Sequence, residues 1–234
     1  EWTEYNTTGS VTVANGKLKF EHSTAKPAAY RMLTPITSTS VFSFEVSSSR
    51  NSVNCQIHLI SSSGKYLTSF AVGKGTATIK FATAMEADVP GGFVEGVPQV
   101  TLLTKTDYSI SAKIDFTTKK VNFYNNGVLV YEGAPFLEAA EDIAKIDIQS
   151  IYMYKDNGQF IFDNIFFLNA DENRINLMGS VSTSETLLST VSIGESYGQY
   201  SQASVDTFQS AIAQANTVLA NCVATSAAIN QALI

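Results

Sequence analysis

Through most of the first 170 residues, apolar and polar positions alternate with a period of two. In DYSISAKIDF, Tyr108, Ile110, Ala112, Ile114 and Phe116 fall on one side and Asp107, Ser109, Ser111, Lys113 and Asp115 on the other. That pattern predicts a strand with one buried and one wet face. SVTVANGKLKF, VFSFEVSSS, KYLTSFAV, TATIKFA, KVNFYNNGVLVYEG and KIDIQSIYMYKDNGQFIFDNIFF carry the same richness in β-branched and aromatic residues, separated by Gly, Asn and Ser turns. In ANGK and NNGV, Gly16 and Gly127 follow asparagines, the pairing that two-residue hairpin turns favour. The expected fold is mainly β, an antiparallel two-sheet sandwich.

Near residue 170 the period changes. In SQASVDTFQSAIAQANTVLANC the apolar positions Val205, Phe208, Ala211, Ile212, Ala215, Val218, Leu219 and Cys222 follow the three-and-four spacing of a helix face. Ser201 or Ser204 is placed to cap its start. SETLLSTV predicts a shorter helix before it, and TSAAINQALI a third, capped by Thr225 or Ser226. The chain therefore divides into a sandwich over 1–169 and a small three-helix bundle over 170–234. The closing strand GQFIFDNIFF reads as apolar on both sides, Phe160, Phe162 and Phe166 against Ile161, Ile165 and Phe167. This predicts that the helical module covers its second face and that the two modules form one rigid unit.

Composition narrows the partners. With 44% hydrophobic residues the chain is globular, and only 15% of its residues are charged, for a net charge of -6. Its polar surface is thus built from Ser, Thr, Asn and Gln, which suits neutral or weakly charged partners. The 15 Lys and Arg are scattered, so no basic footprint for nucleic acid exists. No run of about 18 apolar residues occurs, which argues against membrane insertion. EWTEYNTTGS has neither a basic start nor an apolar stretch, and a leader removed earlier would leave the same beginning. Cys55 and Cys222 fall in different modules, so no disulfide is expected.

The candidate chemistry centres on NCQIHLI. In a strand Cys55, Ile57 and Leu59 point one way, while Asn54, Gln56, His58 and Ile60 point the other. Tyr152 and Tyr154 share a face late in the chain, and Glu45 faces outward between Phe44 and Val46. Rigid rings with polar tips, flanked by amides and carboxylates, are what sugar recognition uses. Trp2 is either such a platform or a plug at the end of the core. Glycosidase chemistry requires two carboxylates across one cleft. Glu86, Asp88 and Glu95 lie instead in the Gly/Pro loop EADVPGGFVEG, where solvated side chains are expected. His22 and His58 are far apart with no cysteine pair beside them, so zinc is unsupported. Asp163 interrupts FIFDNIFF and is either a structural calcium ligand or the cap of a turn or bulge. No other cofactor is implied.

GESYGQYSQASVDTFQSAIAQANTVLANCVATSAAINQAL resembles a FIVAR module, through Gly198, Gln199, Tyr200, Phe208, Ala211, Ile212, Ala215, Val218, Leu219, Ala224, Thr225, Ala232 and Leu233. The resemblance implies a spacing or interaction role beside other domains of a larger parent protein, located extracellularly, on the cell surface or in the periplasm. The first 168 residues resemble concanavalin A-like jelly-roll domains, through YSISAKIDFTTKKVNFYNNG and the closing GQFIFDNIFF. That implies a polysaccharide or oligosaccharide partner. Jelly-roll alginate lyases carry a Q-I-H or Q-V-H strand, which Gln56 and His58 match. Their arginine-led strand is represented only by Arg31 in YRMLT, and YMYKDNGQF supplies Tyr152, Tyr154 and Lys155 in an order that does not fit the lyase strand. The expectation is a non-catalytic carbohydrate-binding module, with Gln56, His58, Glu45, Arg31, Tyr152 and Tyr154 as the binding set. The alternatives are a lyase that uses Gln56, His58, Arg31, Tyr152 and Tyr154 on a uronate-containing glycan by β-elimination, and a structural spacer or adhesin-type module.

Overall fold

The computed structural model describes residues 1–6, 10–21, 27–49, 54–73, 78–85, 93–95, 100–101, 103, 105–152, 159–169, 172–220 and 226–233. Along the chain run β1 (Thr3–Asn6), β2 (Ser10–Ala14), β3 (Lys17–Glu21), β4 (Ala28–Ile36), β5 (Ser40–Ser48), β6 (Asn54–Ile60), β7 (Tyr66–Val72) and β8 (Thr78–Met85). They are followed by β9 (Phe93–Glu95), β10 (Val100–Thr101), β11 (Tyr108–Asp115), β12 (Lys120–Asn125), β13 (Val128–Pro135), β14 (Ile143–Tyr152) and β15 (Gln159–Asn169). Three helices close the chain, α1 (Glu172–Leu188), α2 (Gln202–Ala220) and α3 (Ser226–Ala232).

The strands build two antiparallel sheets, as a jelly-roll sandwich requires. One has the order β1-β4-β14-β6-β7-β8-β10, with β9 beside β8, and the other the order β13-β12-β11-β5-β15-β3-β2. Their inner faces meet through aromatic rings. Phe44 of β5 meets Phe70 of β7 edge-on at 5.3 Å, and Phe123 of β12 stacks on Phe81 of β8 at 4.7 Å. Cys55, Ile57 and Leu59 of β6 are buried in the same core, so the alternation read in NCQIHLI is the one the fold adopts. Burial also pushes the Cys55 thiol up. Trp2 packs partly buried against this core, which makes it a plug rather than a platform.

The Asn-Gly turns form as expected. Asn15 and Gly16 have φ of 52° and 79°, and Asn126 and Gly127 have 48° and 74°, the paired positive φ of a turn that matches strand twist. The closing strand departs from its simple alternation. Between Asp163 and Phe166, β15 carries one more residue than β5, with Asn164 at φ 48° and its N–H donating to Asp163 Oδ1 at 2.8 Å. The extra residue reverses the faces beyond it. Phe160 and Phe162 face the core before the bulge, and Ile165 and Phe167 pack on the same core after it. The apparent two-sidedness of GQFIFDNIFF is in part this reversal, which leaves Ile161, Phe166 and Leu168 for the other face.

Two compact units are present, Glu1–Asn125 with Leu129–Asn169, and Asn126–Val128 with Ala170–Ile234. In the second, Leu177, Val181, Ile212, Ala215 and Ile229 form the core of the three-helix bundle. The first helix is longer than SETLLSTV predicts, because Leu177 and Val181 supply buried positions within a Ser/Thr/Gly-rich segment whose periodicity is thin. Ala211, read as a core position, is exposed. Ser201 caps α2, accepting from the Ser204 N–H at 3.2 Å. Before it, Gly198 takes φ 83° and the Gln199 side chain accepts from the Ser196 N–H at 3.0 Å, which gives the Gly-Gln-Tyr turn its form. No helix among the described residues is long and apolar enough to cross a membrane.

Candidate carbohydrate-binding face

The outward face of the sheet containing β6 is polar, and its neighbours come from distant parts of the chain. His58 stands in register with Asp147 of β14 and Ser69 of β7, and Asp147 with Tyr30 of β4. The next row joins Ala28, Gln149, Gln56 and Ala71. Asp147 is the centre of this array and only 4% exposed. Its Oδ1 accepts from the Tyr5 hydroxyl at 2.8 Å, and its Oδ2 from Gln149 Nε2 at 3.0 Å and Lys145 Nζ at 3.1 Å. These bonds satisfy a buried carboxylate that would otherwise be costly. Burial, together with the adjacent Asp147 carboxylate, pushes the Tyr5 phenol well above its ordinary value.

Around that centre lies an aromatic rim. The Tyr5 and Tyr30 rings are 5.8 Å apart and tilted by 48°, with the Lys145 ammonium 4.8 Å from the Tyr30 centroid and 5.7 Å from that of Tyr5. Tyr5 keeps 46% of its surface open and Met32 61%. Tyr66 is half-buried and meets the His58 ring edge-on at 5.2 Å. Past Tyr66 the sheet is covered by the connection before β14. The Leu137 and Glu138 N–H groups donate to the Leu67 and Tyr66 carbonyls, and the Leu137 side chain packs on Ala71 and Ala82.

Gln56 and His58 do share a face, but they are buried in it, at 4% and 1% exposure. His58 Nδ1 lies 2.7 Å from Ser69 Oγ, and burial drives its pKa down to about 4, against a smaller upward pull from Asp147. The imidazole is therefore neutral at pH 7 and has no open surface for a polymer. Arg31 is not brought to this face. It stands in register with Ile146, whose other neighbour is Leu59, and so lies on the core-facing side. Glu45 belongs to the other sheet, opposite Ser109 and Asp163. Tyr152 ends β14 opposite Asn54, and its side chain, like all of Tyr154, lies outside the described residues. So do the side chains of Glu86, Asp88 and Glu95, and His22 and Cys222. Asp163 is engaged by Lys17 at 3.0 Å and caps the β15 bulge. Among the described residues no three His, Cys, Asp or Glu side chains gather as metal ligands would. Tyr5, Tyr30, Lys145, Asp147 and Gln149 were not singled out in the sequence. Alternation in KIDIQ puts Lys145, Asp147 and Gln149 on one side of a strand, but nothing local pairs that side with Gln56 and His58.

Residues 176–234 match the FIVAR domain. This FIVAR segment covers α2, α3 and most of α1. The chain is also similar to solved structures at the level of fold. A sialidase shares 10% identity at a TM-score of 0.59, over 91% of this chain and 21% of that one. A botulinum neurotoxin type C structure, whose cell entry is described as dependent upon interaction with two ganglioside molecules, shares 12% identity at a TM-score of 0.54, over 85% of this chain and 49% of that one. This chain thus spans about a fifth of the sialidase and about half of the toxin chain. At such identities the likeness concerns the fold. No curated protein matches the chain.

Proposed function

We propose that the sandwich is a non-catalytic module that binds a polysaccharide or oligosaccharide, within a larger extracellular, cell-surface or periplasmic protein in which the FIVAR segment serves as a spacer or interaction module. One observation carries this reading. The Tyr5 ring is tied through its hydroxyl to the buried Asp147, the Tyr30 ring lies against Tyr5 and Lys145, and the half-buried amide of Gln149 stands beside them. Rings fixed before the ligand arrives lose little entropy on stacking against a sugar. The ganglioside dependence described for the neurotoxin is in keeping with such a role for a sandwich of this fold.

The lyase alternative asks for a base, a neutralising arginine and a proton donor in reach of one substrate. His58 is closed off and Arg31 lies on the opposite side of the sheet, so Gln56 and His58 serve here to support the face rather than to react. The test is retardation of the protein in gels containing neutral and uronic-acid polysaccharides, combined with Tyr5→Ala and Tyr30→Ala. Retention by at least one polymer, weakened by roughly 1–3 kcal/mol on removing either ring, is expected. Release of unsaturated uronate from any polymer would overturn the non-catalytic reading, and absence of retention would favour the spacer.

A further inference from the structure

We infer that the ligand of the tyrosine-rimmed face is an uncharged, hydroxyl-rich glycan and not a uronate or sulfated polymer. The inference rests on the carbohydrate-binding reading above and concerns the charge of the same surface. The described basic side chains on or beside this face are Lys145, Lys80 and Lys65. Lys145 is paired with Asp147 at 3.1 Å and lies against two tyrosine rings. Lys65 is paired with Glu138 at 3.4 Å, and that carboxylate also accepts the Tyr66 N–H. Lys80 is buried, with 7% of its surface open. Arg31 projects from the other side of the sheet.

An anionic sugar needs a cation whose charge is not already answered. Among the described residues each accessible ammonium here has its own carboxylate, and a bound carboxylate would come up against Asp147 as well as Lys145. Hydroxyls encounter no such opposition. They can donate to or accept from the Gln149 amide while the ring faces of Tyr5 and Tyr30 take the apolar side of a pyranose. The low overall charge density of the chain, 15% of residues with a net charge of -6, adds no long-range attraction for a polyanion.

The experiment compares the intact protein in gels containing hydroxyethyl cellulose or galactomannan with gels containing alginate or polygalacturonate, at low and high salt. We expect retention on a neutral polymer that changes by less than about twofold between about 50 and about 500 mM salt, because no ion pair is screened. Retention confined to acidic polymers, weakening with salt, would overturn the charge inference while leaving carbohydrate binding intact. Loss of retention on every polymer would overturn both. Asp147→Asn supplies an independent arm. The asparagine oxygen can still accept from Tyr5, but Lys145 loses its counter-charge, so this variant should gain retention on polygalacturonate that disappears at high salt. A folded variant with no such gain would count against the inference.

Discussion

Strands β6 and β11 have the same alternating grammar and opposite surroundings. On β11 the polar side holds Ser109, Lys113 and Asp115, all partly open, with Ser111 alone buried and bonded to Ser43 at 3.1 Å. On β6 the polar side holds Gln56 and His58, both closed. Each strand lies inside its sheet, so position in the sheet does not explain the contrast. What differs is the set of side chains that neighbouring strands bring alongside. Around β6 these are Asp147, Gln149, Ser69 and Tyr66, with Tyr5 reaching over Asp147 from an edge strand. A period of two thus says which side of a strand is not core. It does not say whether that side meets water.

The comparison can be broken or sharpened by substitution. The inward sides should behave alike. Ile57→Ala and Ile110→Ala should each cost about 2–5 kcal/mol in chemical denaturation, since both side chains are fully buried; a large cost in only one would mean that the two strands share less than proposed. The outward sides should then diverge with pH. His58 is depressed from 6.5 to about 4 in the folded protein, so the unfolded chain takes up its proton first. Its contribution is present in full above pH about 6.5 and is lost as pH falls towards about 4, on the order of 3 kcal/mol in all. His58→Gln should flatten that acid slope, and Lys113→Gln should leave it unchanged. Asp147→Ala should cost about 2–3 kcal/mol, less than for a fully buried ion pair because Lys145 retains 27% side-chain exposure. Lys113→Ala should stay within about 0.5 kcal/mol.

Much of the architecture was legible because it is written in local periods. The two Asn-Gly hairpins, the buried triplet Cys55, Ile57 and Leu59, and the buried line Val205, Ile212 and Ala215 on α2 all follow from spacing alone. The site was legible only in part. Gln56 and His58 could be placed on one face, but their partners are fixed by the order β4-β14-β6-β7, a pairing of segments up to about 120 residues apart, as Ala28 is from Gln149, that no local pattern encodes. Arg31 was misplaced for the same reason, since its side of the sheet depends on the register of β4 against β14. At Asp163 the sequence offered a calcium ligand or the cap of a turn or bulge; the bulge is what forms, and only the pairing with β5 shows where the extra residue is inserted.

The central claim is that glycan lies on the Tyr5 and Tyr30 rim over Asp147. Backbone amide shifts recorded while titrating the labelled protein with oligosaccharides cut from the retained neutral polymer test it most directly. The account predicts changes concentrated at Tyr5, Tyr30, Met32, Lys145 and Gln149, with Glu45, Ser109 and Lys113 on the other sheet unmoved. Shifts centred on Glu45 and Lys113, or on the exposed Tyr197 and Tyr200 of the helical unit, would contradict it.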